Sequence, residues 1–352
     1  MMKNILSKIT AVIIASVSFA SCTDVDICTS ELHPHYATVE LNYKWNNVQM
    51  EDSMVVVAYR LMSDWCCAYM TTPDGAAGHY LNNRPDTVFE NIVGEELFTV
   101  KSGELRFLTY NYDANNNGFD YVNAFSDSAI CNRNISLEYK EYKLSDAIIK
   151  ENAIENFKSL NSSNSKYVLN GDIIEPIYTQ YTDIMDIESG ANVVEFAPKG
   201  ILNNYEFKFD IYAKDVTINN VAAEITGIPY KYNLVEEKPY TDKLLKVLFG
   251  VKSYGSSAFR GNAIVTGIMR SASAVNYSGT GVLQLAIDVT DAEGNDKVYN
   301  LLMNLYNYMP GHERLLYGND FLFDIDAPII ISNEGVDVSA ASSNGTMWRY
   351  VK

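Results

Sequence analysis

Histidine is scarce in this 352-residue chain, with four in all: His33, His35, His79 and His312. A histidine-based triad or a zinc site therefore has few members to draw on. No G-x-S-x-G, H-E-x-x-H, P-loop or G-x-G-x-x-G pattern occurs, so no motif points to a hydrolase elbow, a zincin or a nucleotide site. Five cysteines are present but none stands in C-x-x-C spacing, which leaves structural zinc without its usual ligand pattern. Positive charge is also short. Lys and Arg number 27 against 44 Asp and Glu, a net charge of −17, and no basic stripe appears. That balance argues against nucleic acid and against charge-driven binding to anionic lipid headgroups. After the first twenty or so residues, no hydrophobic run approaches membrane-spanning length.

What is present starts at the N-terminus. Lys3 and Lys8 precede the apolar and small-residue run Ile9–Ala20, which is too short to cross a ~30 Å hydrocarbon core and fits the h-region of a signal peptide. The run ends in Phe19-Ala20-Ser21-Cys22, which resembles a bacterial lipobox with Phe at the subsite commonly occupied by Leu. The expectation is a signal peptide over residues 1–21 and a lipid on Cys22, with acyl chains such as palmitate anchoring the chain permanently at about 0.8 kcal/mol per buried CH₂. The bland alternative is an ordinary secretory signal followed by an incidental Cys. Asp24 and Asp26 lie just behind Cys22 and resemble the signal that sends Bacteroidales lipoproteins to the outer face of the outer membrane. A solvated tether over residues 22–36 explains them equally well.

The remaining ~330 residues suffice for two ordinary domains. Apolar residues make up 47% of the chain, enough for a sizeable core. Cys28, Cys66, Cys67 and Cys131 remain for disulfides in an oxidising compartment. Three pairings are open, and adjacent Cys66 and Cys67 point to opposite faces if they lie on a strand. The expectation is at most one bridge, with the other cysteines acting as small buried hydrophobes.

Period-two alternation dominates the chain. It predicts strands at Val39–Trp45, Tyr205–Tyr212, Val216–Ile225, Gly281–Val289 and Val298–Tyr308, with a hairpin turn at Asp291–Asp296. Met54–Met62 is more continuously apolar around Val55-Val56-Val57 and reads as a central sandwich strand, and Leu105–Tyr110, following Gly103, is a further candidate. Short strands separated by Gly, Asn and Asp turns imply β-sandwiches rather than α/β layers. Ser145–Leu160 is the exception: its apolar spacing and the N-cap candidates Ser145 and Asp146 predict a single helix. Glu188-Ser189-Gly190 suggests a boundary, giving sandwich domains over residues 37–187 and 188–352.

Three segments carry a resemblance. They are the lipobox with its tether; the strands Val39–Trp45 and Met54–Met62 followed by Val100–Asn111; and, later, Ala222–Ile228 running into a Gly turn with a closing Phe323–Ile329. In this order they resemble the fimbrillin-like and fimbrial-anchor surface lipoproteins of Bacteroidales, with Leu105 standing where that family commonly has Tyr. The resemblance implies two tandem transthyretin-like Greek-key sandwiches with at most one or two short helices. It also implies a non-catalytic role as fimbrial anchor, accessory subunit or stand-alone surface protein, working by strand pairing with fimbrial subunits. Stalk members of the family are cleaved after an Arg; here Arg60 and Arg84 lie in the corresponding region, but neither sits in a recognisable linker.

Candidate sites for small ligands are few. His33-Pro34-His35 places two imidazoles on one face of an extended chain, with Cys28 and Glu31 nearby in sequence but no third ligand in the pattern. Asp113, Asn115 and Asn117, followed by Gly118, match the opening of a calcium loop. Ala124 occupies the position where that loop needs a bidentate Glu, so an ordinary inter-strand turn accounts for the same residues. Tyrosine is abundant at 25, beside Trp45, Trp65 and Trp348. A glycan-binding surface lipoprotein, the rival to the anchor, needs an exposed row of such rings, whereas an anchor needs an open apolar groove or an unpaired edge strand.

Overall fold

In a computed structural model, the described residues fall within 36–351, with gaps at 46–52, 62–67, 72–88, 91–95, 112–118, 123–134, 141, 144–165, 170–176 and 312. They form β-strands without any helix. The first six are β1 (Tyr36–Tyr43), β2 (Ser53–Leu61), β3 (Ala68–Thr71), β4 (Phe89–Glu90), β5 (Glu96–Lys101) and β6 (Gly103–Asn111). Next come β7 (Phe119–Val122), β8 (Ser136–Tyr139), β9 (Tyr142–Lys143) and β10 (Lys166–Leu169). A third group follows: β11 (Tyr178–Tyr181), β12 (Met185–Ile187), β13 (Gly190–Phe196) and β14 (Lys199–Gly200).

The smaller sandwich sets the sheet β13-β1-β5 against a seven-stranded sheet built on β14-β11-β6-β2-β3. Alternation aims the side chains: Ala37, Val39 and Leu41 face Val56, Ala58, Leu105 and Phe107 in one buried cluster. Phe107 and Phe196 meet edge to face across that core, with ring centroids 6.1 Å apart. β1 is flanked on both sides, running parallel to β13 from Ala37 to Tyr43 and antiparallel to β5 from Tyr36 to Leu41. Thus Gly190–Phe196, beyond the expected division at residue 187, completes the sheet that contains β1.

The larger unit contains β15 (Asn203–Lys214), β16 (Val216–Asn233), β17 (Lys238–Ser253), β18 (Ala258–Val265), β19 (Ile268–Met269), β20 (Val282–Asp291), β21 (Asp296–Asn304), β22 (Leu315–Leu316), β23 (Phe321–Ser332), β24 (Gly335–Asp337) and β25 (Arg349–Val351). Its thirteen-stranded sheet runs β24-β23-β15-β18-β17-β16-β20-β21-β25 and also takes in β7–β10. Tyr205, Phe207, Phe209 and Ile211 on β15 point inward, as do Phe323, Ile325, Ile329 and Ile331 on β23. Each such burial contributes roughly 1.5–3 kcal/mol. Phe207 lies between Phe323 and Phe249, at centroid distances of 4.9 Å and 5.2 Å.

β15 and β23 run parallel, so both units pair a strand near their start in parallel with one near their end. Two-residue hairpins cannot join parallel strands, so this repeated pairing is a long-range closure. The fold is therefore all-β and sandwich-like, with the same closure used twice.

Two features tie the units together. In β6, Leu105 and Phe107 enter the small core while Leu108 and Tyr110, on the opposite face, belong to the large one. The β16–β17 hairpin also bends at irregularities around Gly227 and Tyr230. Its near half pairs with β20 and its far half, Lys231–Asn233, with β8. The turn expected at Gly227 is a bulge inside β16 instead. Gly227 adopts φ +90°, and a Cβ there would lie 2.9 Å from the Thr280 Cβ, so only glycine fits the bend. β21 likewise stops at Asn304 rather than Tyr308. There the Asn304 Oδ1 accepts the Tyr306 N–H and its amide donates to the Ser273 carbonyl, turning the chain away from the sheet.

Candidate functional site

The lipid site Cys22, the cysteines Cys28, Cys66, Cys67 and Cys131, the pair His33 and His35, and the loop of Asp113, Asn115 and Asn117 all lie outside the described residues, as does the helix expected over Ser145–Leu160. Arg84 does too, whereas Arg60 sits in β2, paired with Tyr69 and Leu105 and not in a linker. Among the described residues no group of three or more His, Cys, Asp or Glu could hold a metal. No described helix is long and apolar enough to cross a membrane.

Trp65 lies outside the described residues, and the two described tryptophans do not form an exposed row. Trp348 is buried, with its Nε1–H donated to the Ala327 carbonyl at 2.9 Å and its ring edge-on to Phe209 at 6.2 Å. Trp45 is half-buried between Tyr43 and Tyr178. Among the described residues the exposed tyrosines are dispersed: Tyr212 in β15, Tyr254 between β17 and β18, Tyr317 just after β22 and Tyr350 in β25.

Open edges are more telling. β21 runs from Asp296 to Asn304, yet β25 covers it only between Asn300 and Leu302. Beside β25 lies a groove of ≈640 Å³ lined by Val275, Tyr277, Leu302, Arg349, Tyr350 and Val351 among others. Val275 is 82% exposed there. Tyr277 fixes one wall: its hydroxyl donates to the Met347 carbonyl at 3.1 Å, and the Arg349 guanidinium lies 5.8 Å from its ring centroid. The opposite end of the sheet is partly open as well. Among the described residues β24 pairs β23 only from Ile330 to Ser332, and Leu322 at the other end is 47% exposed. Such edges accept a further strand through main-chain hydrogen bonds, and the apolar side chains beside them select it.

A second concavity lies where the sandwiches meet. It has a volume of ≈190 Å³ and is formed by four separate stretches: Thr179 and Gln180 of β11, Lys199 to Ile201 around β14, Tyr232 to Glu237 at the far end of the β16–β17 hairpin, and Tyr317-Gly318. The hairpin turn is shaped by Asn233, whose Oδ1 accepts the N–H groups of Val235 and Glu236 at 2.9 and 2.7 Å. Glu237 takes φ +50°, which aims its carboxylate at Lys199 3.1 Å away. Burial raises the Tyr232 phenol above its ordinary pKa, and the nearby Glu237 carboxylate and Tyr317 add to the rise. Sequence reasoning missed this cleft. Its residues span Thr179 to Gly318 with no shared spacing, and no local sequence signal marks them.

No protein-family model matches the chain, and no curated protein matches it. Solved structures do. The chain is similar to a candidate adhesin from Bacteroides ovatus (12% identity, TM-score 0.47, covering 79% of this chain and 87% of that one). It is also similar to a candidate polysaccharide-binding protein from Bacteroides thetaiotaomicron (10%, 0.40, 90% and 98%). A third is the fimbrial anchor protein Mfa2 from Porphyromonas gingivalis (9%, 0.44, 89% and 95%).

Proposed function

We propose that the chain is a non-catalytic adhesion protein of the bacterial surface, held at the outer membrane by a lipid on Cys22 and serving as a fimbrial anchor or accessory subunit. The carrying observation is the groove beside β25, where the outermost strand of the large sheet is short and apolar side chains stand exposed. A partner subunit's extended segment would add to that edge. Main-chain hydrogen bonds supply affinity, and the pockets around Val275 and Tyr350 supply selection. The Cys22 lipid transmits the load to the membrane. The acidic surface, net −19 once residues 1–21 with Lys3 and Lys8 are removed, keeps neighbouring copies apart.

The test is mass spectrometry of filaments sheared from source cells carrying the native chain, Cys22→Ala, or Val275→Asp with Tyr350→Asp. The proposal expects the native chain to travel with filaments, Cys22→Ala to shed filaments into the medium, and the groove variant to remain on cells without filaments. Filaments that lack the protein in every strain overturn it.

A further inference from the structure

We infer that the cleft between the two sandwiches is a binding site for a single neutral sugar ring, such as the terminal hexose of a host or bacterial glycan. This goes beyond the filament role and does not depend on it.

Size is the first argument. Pockets for drug-sized ligands run from ~300 Å³ upward, whereas this one holds ≈190 Å³, room for one six-membered ring with its hydroxyls. The lining is the second. A sugar presents an apolar C–H face and a rim of hydroxyls that both donate and accept, so its site needs an aromatic or aliphatic floor ringed by groups of both kinds. Ile201 and Leu234 provide the aliphatic part, and the rings of Tyr232 and Tyr317 the aromatic part. Around them stand an ammonium donor, Lys199, and a carboxylate acceptor, Glu237, paired at 3.1 Å. Gln180 adds a carboxamide whose Oε1 is already fixed by the Ala197 N–H at 2.6 Å, so its NH₂ is the end left to donate.

The third argument is the phenols. Neither the Tyr232 nor the Tyr317 hydroxyl makes a hydrogen bond among the described residues, although Tyr232 is only 8% exposed. The Tyr232 ring is buried while its hydroxyl stays open to solvent, so a ligand hydroxyl entering the cleft can take the place of water there. Charge then narrows the class. Lys199 is already neutralised by Glu237, and the chain as a whole is strongly acidic, so sulfated or uronic sugars are repelled and a neutral ring is admitted. The arrangement is also pre-formed. The cleft walls come from strands of both units, locked by β6 and the β16–β17 hairpin, so little ordering cost accompanies binding.

The experiment is saturation-transfer-difference NMR of the full mature chain with mannose, galactose, glucose and N-acetylglucosamine, each at about 10 mM, the range in which a lone ring binds. Tyr317→Ala and Glu237→Gln are measured alongside. Both residues are solvent-accessible, and the second change conserves shape if the first perturbs folding. Tyr254→Ala, 63% exposed on a distant face, is the control. At least one hexose should receive saturation from the native chain. That transfer should fall about fivefold or more in both cleft variants and persist in the control. No transfer from any of the four sugars overturns the inference. So does transfer that survives both cleft variants, or that is lost in Tyr254→Ala. None of these outcomes bears on filament attachment, which is read by the groove variants.

Discussion

Removal of the Trp348 ring gives the sharpest test of how the segment carrying β25 is held. Trp348 is 3% exposed, and a tryptophan buries roughly 150–250 Å², worth ~4–6 kcal/mol at ~25 cal/mol per Å². Relaxation around the void brings the expected cost of Trp348→Ala to about 3–5 kcal/mol. Trp348→Phe separates the two contributions. It keeps a ring against Phe209 but loses the Nε1–H donated to the Ala327 carbonyl. Because Ala327 is fully buried, water cannot replace that donor, and the expected cost is ~1–3 kcal/mol. Urea unfolding followed by far-ultraviolet circular dichroism reads both. The alanine variant should also expose 339–351 to limited proteolysis and lose filament binding at the β25 groove. An alanine cost below about 1 kcal/mol, or a phenylalanine cost equal to alanine's, would refute the account.

Gly261→Ala should destabilise by about 1–3 kcal/mol in thermal melts, because a Cβ there would stand 2.9 Å from the Phe249 ring and 3.0 Å from the Gly250 carbonyl. Leu108→Ala should cost ~2–5 kcal/mol, since the side chain is fully buried in the large core from a strand that also serves the small one; a melt that splits into two transitions would show that β6 couples the units. Asp291 accepts the Asn295 N–H and pairs with Lys297, and these hold its pKa down from 3.8 to about 2. A depressed acid stabilises the fold above its unfolded pKa, so native stability over Asp291→Asn should be full above pH 3.8 and vanish as pH falls through about 2. In alkaline spectrophotometric titration Tyr308 should ionise near pH 12, raised chiefly by burial. Tyr139 and Tyr205, pushed higher by burial, should ionise only as the fold is lost.

Strand positions were legible wherever one face is wet and the other buried. β15 alternates Tyr205, Phe207, Phe209 and Ile211 with Glu206, Lys208 and Asp210, and that period survives any tertiary context because it is set by the pleat. β1 was legible on the same ground, with Ala37, Val39 and Leu41 buried and the residues between them less so. What failed to show was everything that depends on pairing at a distance. Ala222 to Ile225 are all buried, so alternation is lost there, and Gly227 reads as a turn although it is a bulge in a strand of 18 residues. The parallel closures β1–β13 and β15–β23 join residues more than a hundred positions apart and leave no local mark. The cleft was invisible for a related reason: its chemistry is made by apposition of four stretches, and ordinary residues such as Lys199 and Tyr317 become partners only once the sheets close. The edge groove was expected as a type, but its place at β25 was not, since nothing in Arg349-Tyr350-Val351 distinguishes an edge strand from an interior one.

The same closures bear on how such a chain could carry tension. Under the proposed lipid attachment at Cys22, force enters the fold at Tyr36, the first residue of β1. Were β1 an edge strand joined by one ladder, it could be peeled away one bond at a time, each worth only about 1 kcal/mol net. Instead β1 lies between β13 and β5 with ladders along most of its length, so a pull along the strand axis would meet hydrogen bonds that run across it. The bonds are then loaded together. Ala37, Val39 and Leu41, all buried, would have to be dragged out of the small core in the same event, adding several kcal/mol of apolar exposure. From that core the load passes to the large unit through β6, whose opposite faces feed both clusters. At the short, partly covered β25 an added strand would share the load with the large sheet. The parallel pairing of β1 with β13 thus shields the loaded strand by making it an interior one.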